Sequence, residues 1–307
     1  MAVPFEELHL YSKLAVSEYL VPATLPEALE MLAAHGGKAH VIAGGTDVIP
    51  QLRTRKLQAA ALVDISRLPD MDAIETDGED IVIGGGVTHA QAVASPLLKE
   101  KAGVLATGCG WVGSPQIRNV ATLAGNLVSG QPAADAAVPL LALDAEVTIA
   151  SLGGTRVVPL SEFFQGVGHT VLDCSREILT SIRFRALGEG QGSAYLRLGN
   201  RRVLTLPILV CAVKATASSD RKHIASAAIA LGPVAPVPFR ERGTEDFLAG
   251  KPATLEILRH AAESASSYCN PRDSLLRGSC DYRTEMVKVF VRRGLVAALT
   301  QAGCVLE

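Results

Sequence analysis

The spacing of apolar residues changes along this chain, and this change limits the possible folds more than any other feature. Over residues 1–173, short buried extended segments such as 40–43 and 61–65 alternate with helical patterns, one of them at residues 88–98. Residues 177–231 alternate in strand fashion, and two helical patterns then close the chain. The sequence therefore predicts an α+β protein with a mixed first part and a β-rich second part.

The change in pattern near residues 173–177 predicts a domain boundary. We expect an N-terminal domain of residues 1–175, with subdomains of about 1–57 and 58–175, and a C-terminal domain of residues 176–307. A chain of 307 residues is long enough to bury two cores of ordinary size.

Charge and composition argue against several classes of protein. The formal net charge is -2, which gives no electrostatic reason to expect nucleic acid as a partner. No apolar run is long enough to predict a membrane span, and residues 1–10 lack the pattern of a secretory signal, so we expect a cytoplasmic protein. The six cysteines are scattered without a C-x-x-C pair, and the seven histidines show no metal-ligand spacing. We therefore predict no metal site on this chain. We interpret His89 as a core or surface residue and Trp111 as a core or interface residue.

A buried extended segment at residues 41–43 runs into a loop that reads AGGTDVIP, with Gly44 and Gly45 followed by Thr46 and Asp47. Adjacent glycines allow backbone N–H groups to converge on an anion, as in a phosphate-binding nest. The loop is neither a Rossmann fingerprint nor a P-loop, because G-x-G-x-x-G and Gly-Lys-Ser/Thr are absent. A tight strand-to-helix turn without a ligand explains the same residues equally well.

A second stretch reads QIRNVATLAGN and then SGQPAAD, and it is rich in small and polar residues. Thr122 and Asn126 can hydrogen-bond to a polar ligand. Asp135 lies at the start of a predicted helix at residues 133–143. Its carboxylate can stabilise the first turn of that helix, or it can bind a hydroxylated ligand.

In order, spacing and residue type, the two loops together resemble those of the FAD-binding subunit of molybdenum hydroxylases, the family of xanthine dehydrogenase and carbon monoxide dehydrogenase. The resemblance covers essentially the whole chain. It implies the p-cresol methylhydroxylase-type fold, in which two α/β subdomains clasp FAD and a third, C-terminal α/β domain with an antiparallel sheet covers the flavin.

The resemblance also implies roles for individual residues, none of them catalytic. The first loop would wrap the FAD pyrophosphate, the second would contact it from the other side, and Asp135 would anchor the polar part of the cofactor. Two backbone positions near residue 112 and a strand at residues 177–184 would lie against the flavin. The implied cofactor-binding residues are Val41, Ala43, Gly44, Gly45, Thr46, Asp47, Val48, Val112, Gly113, Thr122, Gly125, Asn126, Asp135, Ile178, Leu179 and Arg197.

Arg197 departs from the family pattern. The segment at residues 193–202, SAYLRLGNRR, resembles a family strand that commonly carries lysine where this chain has Arg197. Arginine keeps the positive charge but presents a planar fork of donors.

The resemblance implies that this chain passes electrons between partner subunits and an external carrier. Substrate would react at a molybdenum cofactor on a large subunit, and a small subunit would carry [2Fe-2S] clusters, in a dimer of heterotrimers. The carrier could be NAD(P), ferredoxin, a quinone or oxygen. Two alternatives stay open: a stand-alone flavin oxidoreductase of the vanillyl-alcohol oxidase type, and a non-catalytic assembly subunit.

Overall fold

The computed structural model describes residues 16–201, 204–275 and 277–306 of the chain. Its strands are β1 Glu18–Leu20, β2 Ala39–Ile42, β3 Ala61–Asp64, β4 Ile74–Asp77, β5 Asp80–Gly84, β6 Glu146–Ser151, β7 Gly154–Pro159, β8 Phe164–Gly166, β9 His169–Thr170, β10 Ile178–Arg185, β11 Gln191–Leu198, β12 Leu209–Ala217, β13 Ile224–Gly232 and β14 Phe239–Arg240. Its helices are α1 Leu25–Ala34, α2 Val48–Arg53, α3 His89–Ala94, α4 Pro96–Lys101, α5 Gly103–Gly110, α6 Pro115–Arg118, α7 Leu123–Val128, α8 Ala137–Ala142, α9 Leu160–Phe163, α10 Arg242–Leu248, α11 Leu255–Ser267 and α12 Cys280–Gln301.

The first layer is a parallel sheet in the order β1-β3-β2, covered by α1. Helix α1 begins after Thr24, because the Thr24 hydroxyl accepts a hydrogen bond from the N–H of Glu27 and Pro26 lies in the first turn. Its buried residues Leu29 and Leu32 pack in one cluster with Ala61 and Val63 of β3. This layer directs the end of β2 towards the glycine loop at residues 43–47.

The second layer is an antiparallel sheet in the order β4-β5-β10-β6-β7. Strand β10 lies in its centre and is hydrogen-bonded to β5 on one side and β6 on the other. The predicted boundary at residue 175 would assign this strand to the C-terminal domain, but the chain leaves the second layer only after Arg185. We therefore propose that the boundary lies in the segment between β10 and β11, not at residue 175.

Two helices differ from the sequence-based expectations. The helix predicted at residues 88–98 is divided into α3 and α4, because Ser95 adopts an extended ψ of 118° before Pro96 and caps the second helix. The helix predicted at residues 133–143 comprises only α8, and residues 133–136 form turns ahead of it. Asp135 therefore lies outside the helix.

The third layer is an antiparallel sheet in the order β11-β12-β13-β14, covered by α10, α11 and α12. The long helix α12 approaches β11 closely because Gly192 has no side chain. A Cβ atom at Gly192 would lie 2.1 Å from the carbonyl oxygen of Ala298. Among the residues that the structure describes, no helix is both long and apolar enough to cross a membrane.

Helix α8 joins the second and third layers. All its residues are buried, and it packs on β12 and β13. Val210, Ala212 and Ala230 of the third layer belong to the same core cluster as the helices of the N-terminal part. The Arg240 side chain, which is 5% exposed, adds polar contacts across this boundary, since it donates to the carbonyl oxygen of Leu141 at 3.1 Å and pairs with the Asp144 carboxylate. These contacts join the second layer to the third.

Candidate functional site

A cavity of about 1090 Å³ lies where the parallel sheet, helix α7 and strand β10 meet. Small-molecule sites commonly enclose about 300–1,000 Å³, so the cavity can hold a large cofactor. Most of the residues predicted from the sequence line it: Val41, Ala43, Gly44, Gly45, Thr46, Asp47, Val48, Val112, Thr122, Gly125, Asn126, Ile178 and Leu179. Gly113, Asp135 and Arg197 do not.

The first glycine loop follows β2 and leads into α2. A Cβ atom at Gly44 would lie 1.9 Å from the carbonyl oxygen of Val120, so only glycine allows this loop to touch the second one. Gly45 has a φ of +68°, which favours glycine and turns the chain towards α2. Within the described part of the chain, the amide N–H groups of residues 44–47 donate no hydrogen bond. These consecutive free donors at a cavity wall form an arrangement suited to an anion.

The second loop is held by hydrogen bonds from both sides. The Thr122 hydroxyl caps α7 by accepting from the N–H of Gly125 at 3.0 Å, and Thr122 is also bridged to Thr88. The Asn126 side-chain oxygen accepts from the N–H of Ala136 at 3.3 Å. These bonds fix the form of the loop, and Thr122 and Asn126 also contribute to the cavity wall.

Asp135 and Arg197 form a buried ion pair beside the cavity. The Arg197 Nε donates to Asp135 Oδ1 at 2.8 Å, and their side chains are 3% and 8% exposed. The Tyr195 hydroxyl donates to the same oxygen at 2.7 Å, and the Arg197 guanidinium lies 5.1 Å from the centre of the Trp111 ring. Neither sequence-based reading of Asp135 foresaw these partners, since the carboxylate caps no helix and binds side chains of β11. Its contact with a cofactor stays a prediction.

Burial dominates the electrostatics of this pair. It raises the pKa of Asp135, and the hydrogen bond and positive charge of Arg197 offset part of that rise. Burial and the nearby Asp135 carboxylate raise the pKa of Tyr195 well above its ordinary value, so Tyr195 remains a hydrogen-bond donor. The pair therefore joins β11 to the segment before α8. Sequence reasoning missed Tyr195 and Trp111 because their partners are distant in the chain.

His89 is a polar residue of the cavity wall, and the sequence alone indicated a core or surface residue at this position. It is 0% exposed, and neither ring nitrogen has a hydrogen-bond partner within the described ranges. Burial lowers the pKa of His89 to about 4, and the nearby Arg118 charge adds to this effect. The imidazole is therefore neutral at physiological pH.

The cofactor-free chain is expected to lose stability as the pH falls from 6.5 to about 4, in part because of His89. The unfolded chain binds a proton on this side chain at a higher pH than the folded chain does, so acid favours unfolding. The contribution is at most about 3 kcal/mol across the window. Urea unfolding at both ends of the window measures it, and His89→Gln should reduce the pH dependence. An unchanged pH dependence in that variant would contradict the low pKa.

Two known families match this chain. Residues 13–184 match the family described as the FAD binding domain in molybdopterin dehydrogenase. This chain belongs to that family. Residues 194–298 match the CO dehydrogenase flavoprotein C-terminal domain.

Relatives match over nearly their whole length. The carbon monoxide dehydrogenase medium chain of Hydrogenophaga pseudoflava is 33% identical over 282 residues, which is 92% of this chain and 96% of the relative. A putative xanthine dehydrogenase FAD-binding subunit of Escherichia coli is 32% identical over 290 residues, 94% and 97% of the two chains.

Solved structures agree with these matches. A carbon monoxide dehydrogenase structure from Hydrogenophaga pseudoflava superimposes with a TM-score of 0.88 at 32% identity, covering 94% of this chain and 99% of the other. Quinoline 2-oxidoreductase from Pseudomonas putida 86 gives 0.87 at 26% identity, covering 95% and 99%. The predicted α+β FAD-binding fold and the resemblance to molybdenum hydroxylases are confirmed. The chain is an FAD-carrying oxidoreductase subunit, and the stand-alone flavin oxidoreductase alternative is not supported.

Proposed function

We propose that FAD binds in the cavity between the two loops, with its diphosphate at the amide groups of residues 44–47. The observation that carries this proposal is the row of free amide donors beside the close contact of Gly44 with Val120. A dianionic group needs several donors but no large positive charge, and converging backbone amides provide them. The volume of the cavity and its mixed polar and apolar wall suit the rest of a dinucleotide.

We also propose that the predicted residues of the cavity wall bind the cofactor. Thr46 and Asp47 would bind beside the diphosphate, and Thr122, Gly125 and Asn126 would bind from the opposite loop. The apolar side chains of Val112, Ile178 and Leu179 would exclude water from the planar parts of the cofactor. Gly113, Asp135 and Arg197 would act from behind this wall, with the buried ion pair setting the position of the segment before α8.

Bound FAD supplies the ability to accept and release electrons singly or in pairs, and the chain determines its position and surroundings. We propose that the electrons come from [2Fe-2S] clusters on a small subunit after substrate has reacted on a large molybdenum-cofactor subunit. An external carrier then receives them. The relatives' names as medium chain and FAD-binding subunit support such a complex, and we propose a dimer of heterotrimers in the cytoplasm.

Purification of the chain alone and together with the products of neighbouring genes tests this function. The chain is expected to carry FAD, seen as flavin absorbance, and to oxidise no substrate by itself. Activity with an artificial electron acceptor should appear only when large and small subunits copurify. A lone chain that turns over a substrate would overturn the proposal in favour of a self-sufficient oxidoreductase. A complex that is active without flavin would make this chain an assembly subunit.

A further inference from the structure

The His89 side chain is the least satisfied polar group of the cavity wall. It is completely buried, and neither Nδ1 nor Nε2 has a partner within the ranges described above. Leaving a buried polar group without a partner destabilises the folded state, and buried polar groups normally have at least one hydrogen bond. A group that breaks this rule at a cavity wall calls for an explanation, and a ligand that supplies the missing partner is one.

Hydrogen bonds hold the backbone around His89 in place, and none of them involves the imidazole ring. The capping box at the start of α3 is complete without it, because the Thr88 hydroxyl accepts from the N–H of Gln91 and the Gln91 side chain accepts from the N–H of Thr88. The main-chain N–H of His89 donates to the carbonyl oxygen of Ala121 at 3.0 Å. His89 is therefore tied to the second loop by its backbone, while its ring is free to hydrogen-bond elsewhere.

The surroundings of His89 indicate the kind of ligand atom that it would meet. Helix α3 packs on α5 and α6, and the cavity wall beside them includes the apolar Val112 and Ile117. A neutral imidazole offers one N–H donor and one nitrogen acceptor. The edge of a planar heteroaromatic ring offers the same mixture, whereas a diphosphate offers acceptors only and is matched by the amides of residues 44–47.

We propose that His89 is a further FAD-binding residue, whose imidazole hydrogen-bonds to the edge of one of the planar rings of the cofactor. This inference rests on the proposed binding of FAD in the cavity. Solvent does not reach the ring nitrogens, so the contact requires the imidazole to rotate towards the cavity. No hydrogen bond of the ring has to break for that rotation. FAD has two such rings, adenine and isoalloxazine, and they share the chemistry that a neutral imidazole recognises.

The test compares the full-length chain with His89→Leu, which replaces the ring by an apolar side chain of similar size. FAD affinity is measured by titrating the cofactor-free chain and following flavin fluorescence. Loss of one hydrogen bond should weaken FAD binding by about tenfold. The melting temperature of the cofactor-free variant should stay the same or rise, because the variant no longer buries an unpaired polar group. His260→Gln is the matched control, since His260 is exposed on α11 and does not line the cavity.

Two further measurements identify the ring that His89 contacts and test whether the contact is a hydrogen bond. Titration with ADP and with FMN shows which ring is recognised, because His89→Leu should weaken the binding of only one of them. His89→Gln, which keeps a donor and an acceptor, should restore part of the affinity, and it replaces the leucine variant if that variant does not fold.

The outcomes separate this inference from the function on which it rests. Unchanged FAD affinity in His89→Leu, beside a wild-type chain that binds FAD, would overturn the role of His89 alone. A lower melting temperature of the cofactor-free variant with unchanged affinity would show a purely structural residue. A wild-type chain that binds no FAD would instead overturn the proposed function.

Discussion

Replacing Gly44 by alanine is expected to weaken FAD binding by about 10- to 100-fold. The added Cβ atom would lie 1.9 Å from the carbonyl oxygen of Val120 and 2.5 Å from its carbonyl carbon, and both are backbone atoms that cannot turn aside. The two loops must then separate, which displaces the amide donors of residues 44–47 from the second loop. Fluorescence titration of the cofactor-free chain with FAD measures the effect.

The matched control for this prediction is Gly103→Ala at the start of α5. No atom lies within 4 Å of a Cβ at Gly103, so the variant should bind FAD as the wild type does. Alanine is also the better helix former, by about 1 kcal/mol, so its melting temperature should not fall. Normal FAD affinity in Gly44→Ala would show that contact between the two loops is not needed for binding.

Replacing Arg197 by methionine is expected to lower the free energy of unfolding by about 3–5 kcal/mol. The substitution leaves the Asp135 carboxylate buried with Tyr195 as its remaining side-chain partner, and an unpaired buried charge is costly. The loss should be smaller at low pH, because the pKa of Asp135 is already raised by burial and a protonated carboxyl needs no cation. Urea unfolding as a function of pH measures both effects.

Two comparisons make this prediction specific. Arg185→Met removes an exposed ion pair with Glu79, whose side chains are 68% and 77% exposed, and should change the stability by no more than about 1 kcal/mol. The double variant Asp135→Asn with Arg197→Met removes both charges and should recover part of the lost stability. Equal losses in Arg197→Met and Arg185→Met would contradict the importance of the buried pair.

Much of the local structure could be predicted from patterns among neighbouring residues. The hydroxyl cap at Thr24, the apolar face of α1 and the glycines after β2 are features of neighbouring residues, and the structure has each of them. The strand predicted at residues 177–184 is present as β10, but its position in the centre of the second sheet was not predicted. A strand pattern specifies an extended backbone and a buried face, whereas pairing depends on strands far away in the chain.

The candidate site, too, could be predicted from the sequence only in part. The two loops could be found from the sequence because glycines and small polar residues are required within each short segment, and the family resemblance that rests on them is confirmed. The partners of Asp135 could not be found, since Tyr195 and Arg197 lie on a strand of another layer. His89 was interpreted from the sequence as a core or surface residue, because a sequence does not show which hydrogen bonds a side chain lacks.

By itself, the sequence therefore determined the kind of protein: its α+β composition, its two glycine-containing loops and its family. These properties depend on spacing and residue type over short stretches, where backbone geometry is governed by neighbours. Only the tertiary structure decided which residues line the cavity. It also showed that Asp135 and Arg197 form a buried ion pair beside the cavity, and that the His89 ring has no hydrogen-bond partner within the described residues. Burial and hydrogen bonding across layers depend on which residues lie close together in space. The order of residues along the chain does not specify this.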